Sequence, residues 1–411
     1  MKINIDFQVK VMALLLFALM LPAMAQVVLD SRGPIAWIHS GYYFVGYETG
    51  FGGRKLLGTI CNALIFNMGG YVGHREFLPL LWGALVASTG LFIALTAWCL
   101  SKKPQVGVAM ILAYFLGPNN YANFFLKGVF FAYVDGWLYL LYLAVLVIFV
   151  VCRRRTWWYY VLLSVVLSMA VLTHHLFCCL LLPSVLVLFV VDSMGRDGVS
   201  WQRAVRYGVV CLLMGVLLAA IVFFETMNVD SRTLYDSICA RTAPGIFLRS
   251  FGFFELVFFT DTLGNIKAQW DIGNLQLHWA LFLPNLLLLV PAFLPLVWPW
   301  VSAAKRGETR YERLRYGTAL CLFVLASVPM FIVAVDYGRW FYAMFFGLFT
   351  ASAVMVGRGD DAFVTGWERM VETMKRHPYI LVLLLVYLAS LKAGREDYSP
   401  EMDTLRAYLG W

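Results

Sequence analysis

Residues 140–151 read LLYLAVLVIFVV and residues 381–390 read LVLLLVYLAS, two stretches that are apolar on every side. A strand with one wet face alternates apolar and polar positions, as does a transmembrane barrel strand, so these runs exclude both. A helix with no face for water remains, the form taken inside a bilayer. The rest of the chain repeats the pattern: of 411 residues, 61% are hydrophobic and 14% charged. Mean hydropathy is +0.76, and soluble domains carry about 25% charged residues. The expected fold is all-α, a polytopic transmembrane helix bundle of about eleven spans with outer interfacial helices and one long outer loop. Residues 1–411 form a single integral membrane domain in this reading, and 225–275 are the long outer loop within it.

Basic residues set the orientation, because cytoplasmic loops collect Lys and Arg. Clusters fall at Lys2 and Lys10, Lys102 and Lys103, Arg153 to Arg155, Arg196 to Arg206, Lys305 to Arg315, and Arg358 to Arg376, separated by pairs of apolar segments. The spacing predicts helices near 11–28, 77–100, 105–118, 129–151, 156–174, 176–192, 208–224, 277–300, 317–336, 340–357 and 378–392. The N-terminus is then cytoplasmic and the C-terminus outside. The third helix is interrupted by Gly117-Pro118, and 56–73 reads as an interfacial helix. Ala23-Met24-Ala25 resembles a signal-peptidase site, but the many spans that follow favour a retained first helix.

Topology explains most of the +8 formal charge, which argues against a nucleic-acid partner. The eight cysteines contain no CxxC pair, so no zinc site is indicated. Cys61 and Cys239 are the two candidates for an outside pair.

Charge inside a bilayer is costly and usually functional, and here it gathers toward one face. At 1.5 Å per residue, Asp135 lies about 25 Å above the Arg153 to Arg155 cluster, His174 about 29 Å above it, and Asp336 about 30 Å above Arg315. The first outer loop brings Asp30, Arg32, Glu48, Arg54 and His74 to that level, and the loop before the fourth helix brings Lys127. A polar pocket roofed by loops is the expectation. In AVDYGRWFYAMF (334–345), Asp336, Arg339 and Trp340 have the i, i+3, i+4 spacing of one helix face. Arg339 would be a fork for phosphate or carboxylate and Trp340 a stacking platform for a sugar; an interface anchor is the other reading. In THHLF (173–177), adjacent histidines point about 100° apart, a poor pair for one metal. His174 or His175 could bind substrate or move a proton, or the pair could be a polar hairpin tip. GYYFVGYETGFGGRKLLGT (41–59) surrounds Glu48, Arg54 and Lys55 with aromatics and glycines, suited to a glycan or to lipid phosphates. Glu48 and Asp30 are candidates for general base.

GFGGRKLLGT (50–59), THHLF and VDYGRW (335–340) together resemble polytopic bacterial envelope proteins of the O-antigen polymerase and GT-C glycosyltransferase kind. The spacing of Arg241 and Gly252 is similar to one noted in O-antigen polymerases. The resemblance is scattered over most of the chain. It implies polyprenyl-linked sugars used on the outer side of the bacterial plasma membrane and an acidic residue in the first outer loop. The chain departs from GT-C members in having no paired-acid or DxD motif in that loop.

The expected activity is that of a membrane glycosyltransferase or repeat-unit polymerase in surface polysaccharide assembly. Its partners would be a polyprenyl-linked donor, a glycan acceptor, membrane lipid and envelope-assembly proteins. Glu48, Asp336 or Asp30 would activate the acceptor. Arg54, Lys127, Asp135, His174, His175, Arg241, Arg339 and Trp340 would bind substrate, Arg339, Arg54 and Lys127 meeting the departing phosphate. No metal or other cofactor is required, although the arrangement is compatible with a divalent cation between the acids and the phosphate. The competing class is a transporter or flippase of a lipid-linked glycan or other anion. The midplane nearly free of charge and the lack of a visible repeat argue against it.

Overall fold

The computed structural model describes residues 5–30, 40–66, 70–117, 120–122, 134–152, 154–195, 197–243, 246, 250–269, 272–333, 337–389, 391–393 and 398–400. These are almost wholly helical. In chain order the helices are α1 (Ile5–Asp30), α2 (Leu56–Leu64), α3 (His74–Leu100), α4 (Pro104–Phe115), α5 (Asp135–Val151), α6 (Trp157–Thr173), α7 (Phe177–Leu180), α8 (Leu182–Ser193) and α9 (Trp201–Phe224). Then follow α10 (Ser231–Arg241), α11 (Phe251–Phe258), α12 (Thr262–Gln269), α13 (Ile272–Arg306), α14 (Arg310–Val333), α15 (Tyr337–Gly357), α16 (Asp361–Arg376) and α17 (Pro378–Ala389).

Among the described residues, five helices are long and apolar enough to cross a membrane, within α1, α3, α9, α14 and α15. Shorter apolar helices are α4, α5, α6 and α8. Leu212, Val216, Phe223 and Phe224 of α9, Leu14 and Leu21 of α1, and Leu325 of α14 stand exposed. Apolar faces of this extent suit lipid and would aggregate in water.

Helix α15 lies at the centre of the bundle. Its apolar window is 94% buried, against 22–39% for the other four, and it packs on α3, α5, α8 and α13. Small residues let neighbouring backbones come close, the usual means of packing helices in lipid. A Cβ on Gly347 would stand 3.0 Å from Ser184, and one on Gly357 would stand 2.7 Å from Cys99 Sγ. Aromatic rings fill the remaining space, Tyr114 stacking on Phe349 with centroids 4.1 Å apart.

Several features differ from the sequence reading. The stretch 225–275 carries α10, α11 and α12 and the start of α13. Asp230 caps α10 by accepting from Thr233 N at 2.8 Å. The basic cluster Arg358 to Arg376 is mostly an amphipathic helix, α16, with Phe363, Val364, Trp367 and Met370 buried along one face. The last apolar helix stops at Ala389, and Leu391–Ala393 pairs antiparallel with Tyr398–Pro400. Cys61 and Cys239 are free thiols.

Candidate functional site

One end of the bundle is roofed by the segment from 40 to 66 and by α10 to α12. Chain pairing holds the roof together: Thr226 N donates to Phe51 O at 2.7 Å and Asn228 N to Thr49 O at 2.9 Å. Gly50 sits at φ +124 with the position of a Cβ 2.3 Å from Thr226 O, so the turn requires glycine. Lys55 is 2% exposed. Its Nζ donates to Gly50 O at 3.0 Å and Thr226 O at 3.2 Å, locking the two segments from beneath. Burial pushes this amine down to about 8, against the attraction of Glu225 and Glu48. Glu225, just past α9, accepts from Thr262 N and Oγ1 at 3.1 and 3.0 Å and so fixes the start of α12.

On this scaffold Glu48 and Arg241 line one cleft of about 550 Å³ with Phe44, Thr49 and Asn62. Glu48 Oε1 accepts from Asn62 Nδ2 at 2.6 Å and Gly46 N at 3.2 Å. Its second oxygen accepts no bond among the described residues. Asn62 Oδ1 accepts from Arg241 Nη2 at 3.4 Å, and the guanidinium lies over the Phe44 ring at 5.7 Å. Arg241 Nε is buried without a hydrogen-bond partner among the described residues. The end of α10 is pinned by Val72, whose N donates to Arg241 O at 2.7 Å while its O accepts from Ala243 N at 2.9 Å. A carboxylate and a cationic fork therefore face the same space, bridged by one amide.

Two other groups of expected site residues come together outside this cleft. Asp135 and Arg339 form a buried ion pair at 3.1 Å, and Arg339 lies over the ring of Trp340 at 5.3 Å. Trp340 is 1% exposed, so its ring packs in the protein. Neither Asp135 nor Arg339 lines the cleft.

Arg54 and His175 form the second group. Arg54 adopts φ 68, uncommon for a side-chain-bearing residue, and Nη1 donates to Val257 O at 2.9 Å. Its charge acts on His175, which burial first and then Arg54 push down to about 3. His175 is thus a neutral ring at ordinary pH, closely covered by Gly53, whose Cβ position would be 2.5 Å from Nδ1. His174 accepts from Leu176 N at 3.2 Å and lies against Tyr42. Lys127, Asp336 and the side chain of Asp30 lie outside the described residues. Among the described residues no group of three or more His, Cys, Asp or Glu side chains could hold a metal ion.

Asn62 is the residue that sequence reasoning missed. Its signal was a lone amide in the amphipathic LLGTICNAL of α2. No family model, curated protein or solved structure matches the chain.

Proposed function

We propose that the chain is a membrane glycosyltransferase or repeat-unit polymerase, acting on a polyprenyl-linked sugar donor at the roofed end of the bundle. The reading rests on one observation: Glu48 and Arg241 share a cleft and are joined through Asn62. In the proposed step Glu48 takes the proton of an acceptor hydroxyl, the freed oxygen bonds to the anomeric carbon, and the carbon–oxygen bond to the donor phosphate breaks. The phosphate leaves with the bonding electrons, and Arg241, a planar fork suited to phosphate oxygens, meets the charge as it develops. Asn62 holds both groups in register before substrate arrives. The proposed topology has about eleven spans, the roofed end outside and the Lys- and Arg-rich end in the cytoplasm of a bacterium.

The test is sugar transfer by purified protein from a polyprenyl-linked donor to a glycan acceptor. E48Q is expected to lower kcat by about a hundredfold or more, as loss of a general base does. R241A should lower kcat/KM strongly in protein that still inserts. Full activity in E48Q removes the proposed base. Movement of the lipid-linked glycan across a bilayer without transfer makes the chain a flippase.

A further inference from the structure

The opposite end of the bundle carries a second cavity, of about 400 Å³, lined by Trp98, Lys102, Phe149, Arg155, Gly357 and Arg358 among others. Helices α3, α5 and α15 all finish there. Gly357 lets α15 close on α3, since even the Cα of Cys99 would lie only 3.0 Å from a Cβ at that position. The close approach brings Lys102 and Arg358, each just beyond its helix, to one mouth.

Behind the wall stands Asp192, whose side chain is 1% exposed. Its carboxylate accepts from Arg155 Nε and Nη2 at 3.0 and 3.1 Å, from Arg358 Nη2 at 2.6 Å and from the Tyr207 hydroxyl at 2.8 Å. Arg203 Nη1 lies 4.0 Å from the same group. Arg155 is spent inward, its Nη1 donating to the carbonyls of Phe149 and Cys152. Arg358 keeps 34% of its side chain exposed. Lys102 Nζ has the Trp98 ring as its neighbour, 4.4 Å from the centroid.

Among the described residues three cations and no acid line this cavity, and the Asp192 carboxylate behind them is shared by three guanidiniums. Topology accounts for basic residues at this end of the bundle. It does not account for a buried acid that clamps Arg155 and Arg358 in fixed geometry, which is how a binding site is preorganised. We propose that this cavity binds a phosphate group, with Arg358 and Lys102 holding its oxygens and Asp192 with Arg155 setting the position of the Arg358 fork. The phosphate comes from a lipid headgroup or from a soluble phosphate, and the chemistry of the contact is the same for both.

The test uses the full chain in zwitterionic detergent, titrated in one arm with short-chain phosphatidylglycerol and in the other with inorganic diphosphate. Lys102→Gln is the leading variant because it leaves the Asp192 cluster intact; Arg358→Gln is the second. Each is expected to weaken binding by about tenfold, the loss of one charge-assisted contact, with the melting temperature of K102Q unchanged. Saturable binding of the lipid alone assigns a headgroup, and saturable binding of diphosphate assigns a soluble phosphate. A loss smaller than about threefold in K102Q, or no saturable binding of either probe, overturns the site.

Discussion

Arg339, in the first turn of α15, meets Asp135, the first residue of α5, with Nη2 3.1 Å from Oδ1 across 204 positions of sequence. Asp135 is buried and Arg339 nearly so, their side chains 6% and 11% exposed. Removing one partner strands a charge in a poorly solvated place, which costs about 3–5 kcal/mol, whereas removing both costs much less. D135A and R339M should therefore each lower stability strongly in detergent unfolding, and the double variant should recover most of the loss. A double variant as unstable as the two losses added together would show that the pair is not coupled.

His175 is expected to make the protein sensitive to acid. The unfolded ring takes a proton near 6.5, while the folded ring holds off until about 3. Between those values the unfolded state binds the extra proton, so this group's contribution to stability is lost as pH falls from 6.5 toward 3. H175Q should flatten the acid limb of a melting temperature against pH curve. An acid limb of unchanged slope in H175Q would place the sensitivity elsewhere.

Lys55 acts at the other end of the scale. Its folded value of about 8 lies below the ordinary 10.5, so between them the unfolded state again carries more protons and stability rises with pH. The effect is on the order of a few kcal/mol across the window. K55M should remove the rise; a curve parallel to that of the parent protein means that the amine is solvated.

Gly58 sets how closely α2 can approach the backbone at Val45 within the roof. A Cβ there would lie 2.1 Å from Val45 O, a backbone atom with little freedom to yield. G58A should cost about 1–3 kcal/mol and, on the proposed function, lower the proposed sugar transfer, because α2 carries the Asn62 bridge. Gly83 in α3 has nothing within 4 Å of its Cβ position, so G83A should leave stability unchanged or higher. Equal melting temperatures for G58A and the parent would mean that the contact relaxes without cost.

Much of the architecture is legible in the chain. The apolar runs around 140–151 and 208–224 became α5 and α9, and the stop at Gly117-Pro118 matches the end of α4 at Phe115. The amphipathic helix α16 was hidden because its arginines and lysines read equally well as a topology signal. In 225–275, short helices of mixed composition carry too few turns for a periodic pattern to stand out from a loop.

The site was legible only in its ingredients. Glu48, Arg241, Asp135 and Arg339 could each be named as costly polar residues in an apolar protein, because composition alone makes an exception visible. Sequence spacing speaks only of neighbours on one helix face. It could not say that Arg241 meets Asn62 across 179 residues, that Arg339 is taken up by Asp135, or that Arg358 reaches Asp192 across 166. Membrane character follows from the sum of many side chains and survives any arrangement of them. Which charge neutralises which depends on contacts of about 3 Å, and only the packed helices bring those atoms within reach.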